Sequence, residues 1–441
     1  MLLIYVPKLT NRLGYTINVV MRDLLRTEFS ITTDSDMFGK HAGERLCYGP
    51  SRVGDPKVPY LKSCNLLFET TIEEQDCRCF EYEGLPVLFP VFGRDQALPF
   101  DPLAAIFYML SRYEEYLPHR RDEHGRFLAK ESLAYRHGFL NKAVVDRWAM
   151  MVRDVLLRYY PDMHFGQRQS RFVLTVDIDA AYCYRCKGIF RTTMGILRDG
   201  LHRHNPKEVR RRLRVLRGKE EDPFETFDYI IDVCERAERC HLIFFPLLGD
   251  YGIYDKPASY HNTEFRQLLQ HLGDYAKMGI HCSYYCTDER EKVEEETRRL
   301  AEILHRPIVR NRFHFLRFRL PHDYRNLVRN GILHDYSMGF ADLPGFRCGT
   351  STVVPFYDLS SDQESALRMH PFLTMDTTFH VHMGITTEEA KAQFHALIDE
   401  VRAVGSDFNC IFHNQNLCES FGWEGWREVF EDTVHYGCAG L

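Results

Sequence analysis

The sequence predicts an α/β fold in which parallel strands alternate with helices. From residue 171 onward, strand-like segments recur at about 30 to 40 residues per unit, the rhythm of βα repeats. Several of these segments end in polar side chains, as strands of parallel sheets do beside a binding site. Seven such strands favour a barrel, and the 44% hydrophobic content supplies enough apolar side chains for a large core.

A smaller α/β domain is predicted to precede these repeats. Residues 1–165 carry short mixed strand and helix patterns, followed by one strong helix over residues 102–117. The polar segment 166–170 marks the boundary, so we assign 1–165 to a domain of unknown function and 171–441 to the barrel. The charged cluster at residues 111–116 is interpreted as a solvated or interdomain ion-pair network rather than a functional site.

The predicted strands of the second domain share an apolar composition and a polar end. They span residues 171–178, 241–248, 278–283, 312–318, 333–338, 372–377 and 409–413. Two helices between them each have one apolar face: the first covers 263–278, with Asn262 as its N-cap. The second begins at the capping box formed by Thr386 and Glu389 and ends at Gly405.

Composition excludes several classes of function. The net charge is −6, and the only concentrated basic run, 210–217, lies between two predicted strands, so a nucleic-acid partner is not expected. No segment is long and apolar enough to span a membrane, and the first residues show no export signal. The 14 scattered cysteines are typical of reduced thiols. We therefore expect a cytoplasmic protein, and the sequence leaves its oligomeric state open.

Two carboxylates, Asp177 and Asp179, end the apolar run that begins at Phe172. Side chains alternate along an extended chain, so both carboxylates lie on the same side of the strand. One can bind a metal while the other transfers protons. The alternative is a pair of strand-end aspartates that caps the next helix.

Three histidines lie at or near the ends of other predicted strands. His281 stands where a barrel strand would open into the mouth, and imidazole with carboxylate suits zinc or a similar divalent ion. His314 lies mid-strand, so it is a third ligand only by default, and the alternative is a hydrogen-bonded core histidine. His413 ends the last strand, where a histidine suits general-acid catalysis at neutral pH. Together with the aspartates, these residues predict a metal hydrolase.

Five ordered motifs resemble those of the polysaccharide deacetylase family (carbohydrate esterase family 4-like). They are TVDID at 175–179, GIHCS at 279–283, LRFRLP at 316–321, GILHDYSMG at 331–339 and IFH at 411–413. The chain resembles in particular the two-domain bacterial branch, in which an uncharacterised N-terminal domain precedes the barrel. GFRCGT at 345–350 and the pair Met375 and Asp376 also resemble that branch. The resemblance covers 171–415 and, more loosely, the N-terminal domain through 98–102 and 112–115.

The resemblance implies a distorted (β/α)7 barrel and a hydrolase, dependent on a divalent metal such as zinc, that removes acetyl groups from N-acetylated sugars. By position it implies Asp177 as general base, with Asp179 and His281 as metal ligands. It likewise implies that Arg317 orients the base and that His413 is the general acid. The candidates for carbohydrate binding are Tyr336, Arg347 and Asp376.

Departures from the family pattern leave alternatives open. Tyr285 stands where the family has a second histidine, so either His314 replaces that ligand, the metal is held weakly, or the barrel binds glycan without turnover. Ile178 splits the family's adjacent aspartates, so the roles of Asp177 and Asp179 are exchangeable. A further alternative is a phosphatase of the haloacid dehalogenase class, which also begins with a strand ending in Asp-x-Asp.

Overall fold

The computed structural model describes residues 1–202 and 204–439, and its strands and helices form a mixed α/β fold. The strands in the described residues are β1 Leu2–Tyr5, β2 Phe29–Thr32, β3 Arg45–Gly49, β4 Tyr60–Lys62, β5 Cys79–Tyr82, β6 Leu85–Leu88, β7 Phe172–Ile178, β8 Cys240–Pro246, β9 Lys277–Met278, β10 Ile280–Cys282, β11 Arg310–Phe313, β12 His334–Asp335, β13 Val354–Asp358, β14 Gln363–Met369, β15 Thr374–Met375 and β16 Phe408–His413. The α-helices there are α1 Asn11–Asn18, α2 Ser35–Lys40, α3 Pro102–Leu110, α4 Leu133–Arg136, α5 Val144–Tyr159, α6 Gly188–Leu197, α7 Pro206–Leu216, α8 Phe227–Arg236, α9 Thr263–Tyr275, α10 Glu291–Leu304, α11 His322–Arg329, α12 Thr387–Val404 and α13 Trp426–Cys438.

The N-terminal part is built on a parallel sheet of four strands in the order β2-β1-β3-β4, and a separate antiparallel hairpin is formed by β5 and β6. All four residues of β1 are buried, as a central strand covered on both faces requires. The Tyr15 hydroxyl of α1 donates to the Pro355 carbonyl at 2.9 Å, and the rings of Tyr15 and Tyr357 lie 4.9 Å apart. This part therefore packs directly on β13, and the domain boundary near residue 165 stays a prediction.

All seven strands predicted after residue 171 are present, as β7, β8, β10, β11, β12, β15 and β16. They lie in two five-stranded sheets, ordered β15-β16-β7-β8-β9 and β10-β11-β12-β14-β13. The sheets meet at Gly279, between β9 and β10, whose amide donates to the Phe244 carbonyl at 2.9 Å. A Cβ at Gly279 would lie 2.3 Å from the Phe245 ring, so only glycine permits this close approach.

The predicted barrel is not observed as one closed sheet among the described strands. On its open side β12 pairs with β14, which is antiparallel to β13, instead of with β15. A backbone hydrogen bond from the Phe372 amide to the Met338 carbonyl, at 3.1 Å, spans the remaining gap between the two sheets. The α/β class is thus confirmed, and the unpredicted β13–β14 hairpin explains why the strands do not form a continuous ladder.

The helix predictions are confirmed in part. The Asn262 side chain caps α9 by accepting from the Phe265 amide at 3.0 Å, and α12 has the predicted capping box and a left-handed stop at Gly405. The helix predicted for 102–117 is too long, because α3 ends at Leu110 and Arg112 adopts a left-handed conformation with φ of 53°. In the described chain, no helix is long and apolar enough to cross a membrane.

Candidate metal centre

The carboxyl ends of four parallel strands bring the predicted aspartates and histidines together. Asp177 lies in β7 beside His413 of β16, and Asp179 follows the end of β7. His281 lies in β10 and His314 directly follows β11, its parallel neighbour. Because parallel strands end at the same edge, these side chains converge there. We call the five residues the carboxylate–histidine cluster.

Asp179 is at the centre of this cluster. Its Oδ1 atom lies 3.2 Å from His281 Nε2 and 3.5 Å from His314 Nε2. Ligand atoms of these three residues all lie within 4.8 Å of one another. On the other side, Asp179 Oδ2 lies 3.8 Å from His413 Nε2 and accepts from Gln415 Nε2 at 3.2 Å. Asp177 Oδ2 lies 3.7 Å from His281 Nε2.

Each histidine is held by its other ring nitrogen. His281 Nδ1 contacts the Arg312 carbonyl at 3.0 Å, and His314 Nδ1 contacts Asp255 Oδ1 at 2.7 Å. His413 Nδ1 contacts Asp376 Oδ1 at 2.7 Å. Where Nδ1 donates to an oxygen acceptor, the neutral imidazole keeps its lone pair on Nε2, the atom that faces the aspartates. The three rings are therefore oriented as metal-binding histidines are.

The charges of the cluster are strongly coupled. Burial alone would raise the pKa of Asp179, but His314, His281 and His413 outweigh it and hold that pKa well below its usual range. Burial likewise disfavours charged imidazoles, yet Asp179 and Asp255 raise the pKa of His314 to about 9. Asp376, followed by Asp179 and Asp177, raises the pKa of His413 to about 10. The carboxylates thus require positive charge beside them, which protonated imidazoles or a divalent cation can supply.

A buried arginine, Arg312, lies behind Asp177. Its side chain is fully buried between the rings of Phe245 and Phe372, whose centroids lie 5.1 and 5.2 Å from the guanidinium carbon. Its Nη2 donates to Thr175 Oγ1 at 2.7 Å, and its Nη1 lies 3.8 Å from Asp177 Oδ2. Burial lowers the pKa of Arg312, and Asp177 opposes this effect. The Arg312 guanidinium therefore lies beside Asp177.

The assignment of Arg317 as the residue that orients the base does not fit this geometry. Its guanidinium donates to Asp288 Oδ2 at 2.7 Å and to the His124 carbonyl at 3.1 Å. The predicted strand 312–318 ends at Phe313, and Phe315 and Leu316 have φ of 58° and 54°. This left-handed turn carries Arg317 out of the strand and away from Asp177.

The predicted carbohydrate-binding residues are not free to bind substrate at the cluster. Tyr336 is 4% exposed, stacks on His370 at 4.2 Å, and lines a cavity beside the residues that begin the strands. Arg347 is buried and ion-paired to Glu115 at 2.7 Å. Asp376 accepts from the His413 amide and contacts its ring, so its contacts orient His413.

Sequence reasoning missed three residues that contact the cluster. Asp255 comes from the loop between β8 and α9, where no motif marks it. Gln415 lies two residues beyond His413, where no motif marks it. Arg312 is the first residue of the predicted strand 312–318, and a charged side chain in a buried strand requires a partner.

The donor set fits a divalent metal. Asp177 Oδ1 and Asp179 Oδ1 are buried and accept no hydrogen bond from a described residue. One carboxylate and two imidazoles, from Asp179, His281 and His314, are a ligand set that zinc accepts while keeping a position for water. The haloacid dehalogenase alternative requires a lysine near the aspartates, and no lysine forms an ion pair with Asp177 or Asp179 in the described residues.

An aromatic wall borders the cluster and includes a residue from the N-terminal part. The rings of Tyr254 and Tyr284 stack with centroids 4.1 Å apart, and Phe315, next to His314, packs against both. His124 Nδ1 contacts the Tyr284 hydroxyl at 3.1 Å. Tyr254 is 37% exposed, so one face of this wall is open to solvent.

The N-terminal part of the chain matches a protein-family model. Residues 2–161 match the model of a family of unknown function (DUF7033). No curated protein matches the chain. Among solved structures, a candidate polysaccharide deacetylase from Mycobacterium smegmatis is 13% identical with a TM-score of 0.40, covering 62% of this chain and 86% of its own. The polysaccharide deacetylase Bc1974 from Bacillus cereus is 10% identical with a TM-score of 0.28, covering 61% and 86%.

Proposed function

We propose that the chain is a metal-dependent hydrolase that removes acetyl groups from N-acetylated sugars or glycan precursors. The observation that carries the proposal is the convergence of Asp179, His281 and His314, with ligand atoms within 4.8 Å of one another, between Asp177 and His413. A hydrolase of amide bonds needs a base for water and an acid for the departing amine, and these two residues are placed to serve as the pair.

The ligand set favours zinc, held by Asp179, His281 and His314. A zinc ion bound there would lower the pKa of its bound water and would polarise the amide carbonyl of the substrate. Each of the two histidines presents Nε2 because its Nδ1 is engaged by the Arg312 carbonyl or by Asp255. The sequence has no second histidine four residues after His281. In this proposal His314 serves as that second histidine ligand.

Asp177 and His413 carry the proton transfers in this proposal. Among the described residues no donor bonds to the buried Asp177 Oδ1, so this oxygen is placed to accept a proton from water, and Arg312 Nη1 lies 3.8 Å from Oδ2. His413, held by Asp376, delivers a proton from Nε2 to the departing amine. Tyr254 offers a partly exposed ring on which a sugar can stack.

The proposal also covers the barrel, the domain bounds and the cellular location. We infer that β7 to β16 form a distorted (β/α)7 barrel whose continuity is interrupted by the β13–β14 hairpin. The domains are proposed to be 1–165 and 171–441, in a cytoplasmic bacterial protein. Contact of His124 with Tyr284 supports a role for the first domain in shaping the substrate wall.

Metal analysis and acetate release test the proposal. We expect the purified protein to hold about one zinc ion per chain and to release acetate from N-acetylated oligosaccharides, with activity lost on chelation and restored by zinc. Asp177→Asn is expected to retain the metal and to lower the rate by about 10²- to 10⁴-fold, the usual contribution of a general base. Asp228→Asn, a surface carboxylate 92% exposed beside His271, is the matched control and should leave the rate unchanged.

Two further outcomes separate the alternatives. Metal binding without acetate release from any N-acetylated oligosaccharide would favour a glycan-binding module and contradict the hydrolase. Unchanged metal content in His314→Ala would remove that residue from the ligand set. His271→Ala, on the surface, controls for the loss of a histidine.

A further inference from the structure

The opposite ends of the same strands enclose a second, chemically different site. A cavity of about 630 Å³ lies where β7, β8, β9, β11 and β12 begin. This volume falls within the range of small-molecule sites, about 300–1,000 Å³. Arg171 precedes β7 and Asp179 follows it, so a strand length of roughly 25 Å separates this cavity from the carboxylate–histidine cluster.

Cations dominate the lining of this cavity. The lining has four basic side chains, Arg171, Lys277, Arg306 and Arg310. It has two carboxylates, Asp274 and Asp407. One base is neutralised, because Arg171 forms a bidentate pair with Asp407. In the described part of the chain, Lys277, Arg306 and Arg310 form no ion pair, and Arg306 only donates to the Gly273 carbonyl at 3.1 Å.

Three imidazoles add neutral hydrogen-bonding groups to the lining. His334 Nδ1 and His370 Nε2 lie 2.9 Å apart, and the His370 ring stacks on Tyr336 at 4.2 Å. Burial lowers the pKa of His334, and Arg310 lowers it further. Burial also lowers the pKa of His241, with Arg171 and Lys277 adding to the effect. Once the Arg171–Asp407 pair is set aside, three bases, Lys277, Arg306 and Arg310, stand against one carboxylate, Asp274, so the described lining keeps a net positive charge.

We propose that this cavity binds a small molecule carrying a phosphate group or a comparable compact polyanion. Guanidinium groups match phosphate and carboxylate oxygens in paired hydrogen bonds, and an ammonium group adds a point charge. A concave surface with unbalanced cations concentrates such anions. The neutral histidines donate further hydrogen bonds, and the Tyr336–His370 stack forms an aromatic floor.

Calorimetric titration of the full chain tests this site. Pyrophosphate, added at constant ionic strength set with sodium chloride, is expected to bind saturably with about one molecule per chain. The double variant Lys277→Gln/Arg306→Gln should weaken its affinity roughly tenfold or more, because two cations are removed from the lining. The control Lys40→Gln/Lys130→Gln removes the same charge from exposed positions outside the lining and should bind like the wild type.

The outcomes are distinct from those of the hydrolase experiments. Absence of saturable binding, or equal losses in the two double variants, would overturn the proposal. A parallel titration with citrate identifies the source of the charge: tighter binding of citrate than of pyrophosphate would overturn the phosphate assignment in favour of a polycarboxylate. Far-ultraviolet circular dichroism of both double variants shows whether a loss of binding comes from unfolding.

Discussion

Two clusters of buried charged side chains differ in how completely their polar atoms are paired. The first is the junction cluster, formed by Arg112, Glu114, Glu115 and Arg347. Glu115 accepts from Arg112 Nε at 2.7 Å and from Arg347 Nη2 at 2.7 Å, and Arg347 Nη1 donates to the Gly339 carbonyl at 2.9 Å. Glu114 accepts from Arg112 Nη2 at 2.9 Å and from the Leu133 amide at 2.7 Å. In the second, the carboxylate–histidine cluster, Asp177 Oδ1 and Asp179 Oδ1 accept no hydrogen bond from a described residue.

The difference separates a structural role from a ligand-binding role. In the junction cluster, opposite charges from the N-terminal part and from Arg347 satisfy one another, so nothing further is needed to complete it. In the carboxylate–histidine cluster, carboxylate oxygens and imidazole Nε2 atoms face a common point, where a cation would complete the arrangement that we propose. We therefore expect changes in the first to act on stability and changes in the second to act on metal binding.

The largest expected effect is on stability, from Glu115→Gln. The change leaves Arg112 and Arg347 buried without their shared carboxylate, and breaking a buried ion pair in this way costs about 3–5 kcal/mol. The free energy of unfolding, measured from urea midpoints at unchanged slope, should fall by that amount. Asp232→Asn breaks an exposed pair with Arg236 and should change it by no more than about 0.5 kcal/mol. Equal effects of the two variants would contradict the structural role of the junction.

The same carboxylate predicts a pH dependence of stability. Burial opposes ionisation of Glu115, but Arg347 and Arg112 outweigh it and lower its pKa to about 2. Because the folded pKa lies below the unfolded value of about 4.3, the stabilisation is complete above pH ~4.3 and is lost as the pH falls towards 2. The stabilisation that Glu115 contributes through this pKa difference amounts to about 3 kcal/mol. The stability difference between wild type and Glu115→Gln should shrink over this range, and a constant difference would refute the assignment.

How far the sequence predicts this fold depends on how local the determining interactions are. The seven strands after residue 171 follow from apolar runs, and α12 follows from its capping box at Thr386. The interruption of the barrel cannot be predicted from local patterns. It depends on whether β12 pairs with β14 or with β15, which is a choice between distant segments. The early end of α3 depends on the left-handed conformation of Arg112, which its buried ion pairs hold in place.

The candidate site divides in the same way. Strand-end positions predict Asp177, Asp179, His281 and His413, because the side-chain type and the strand end can be read together. Strand-end positions do not predict the residues that contact these side chains. Asp255, for example, lies in a long loop, and its contact with His314 joins positions 59 residues apart. Arg317 pairs with Asp288 because the left-handed turn at Phe315, which is not visible in the residue types, takes it out of β11, and Arg312 of β11 lies 3.8 Å from Asp177.

Metal addition should stabilise the protein by a smaller amount than the junction cluster does. An ion that binds only the folded chain adds RT ln(1 + [L]/Kd), about 2.7 kcal/mol at a hundredfold excess over Kd. We expect zinc to raise the free energy of unfolding by this increment in the wild type and in Glu115→Gln alike, since the clusters share no residue. Thermal unfolding with and without chelator measures it. An increment that disappears in Glu115→Gln would show that the two clusters are coupled.

The smallest expected effect comes from Asp255→Asn, which leaves all the proposed metal ligands in place. Asp255 Oδ1 holds His314 Nδ1 at 2.7 Å and accepts from the Tyr284 amide at 3.0 Å. An asparagine can keep the geometry but removes the charge that makes His314 a better ligand, so zinc affinity should fall about 10- to 100-fold, or about 1.4–2.7 kcal/mol. Zinc titration against a competing chelator measures the change. Asp228→Asn removes a carboxylate from a surface histidine, His271, and should leave the affinity unaltered. Asp255→Asn could instead destabilise the metal-free chain as strongly as Glu115→Gln does. In that case the Asp255 carboxylate would have a structural role like that of the junction cluster, and the contrast between the two clusters would not hold at this residue.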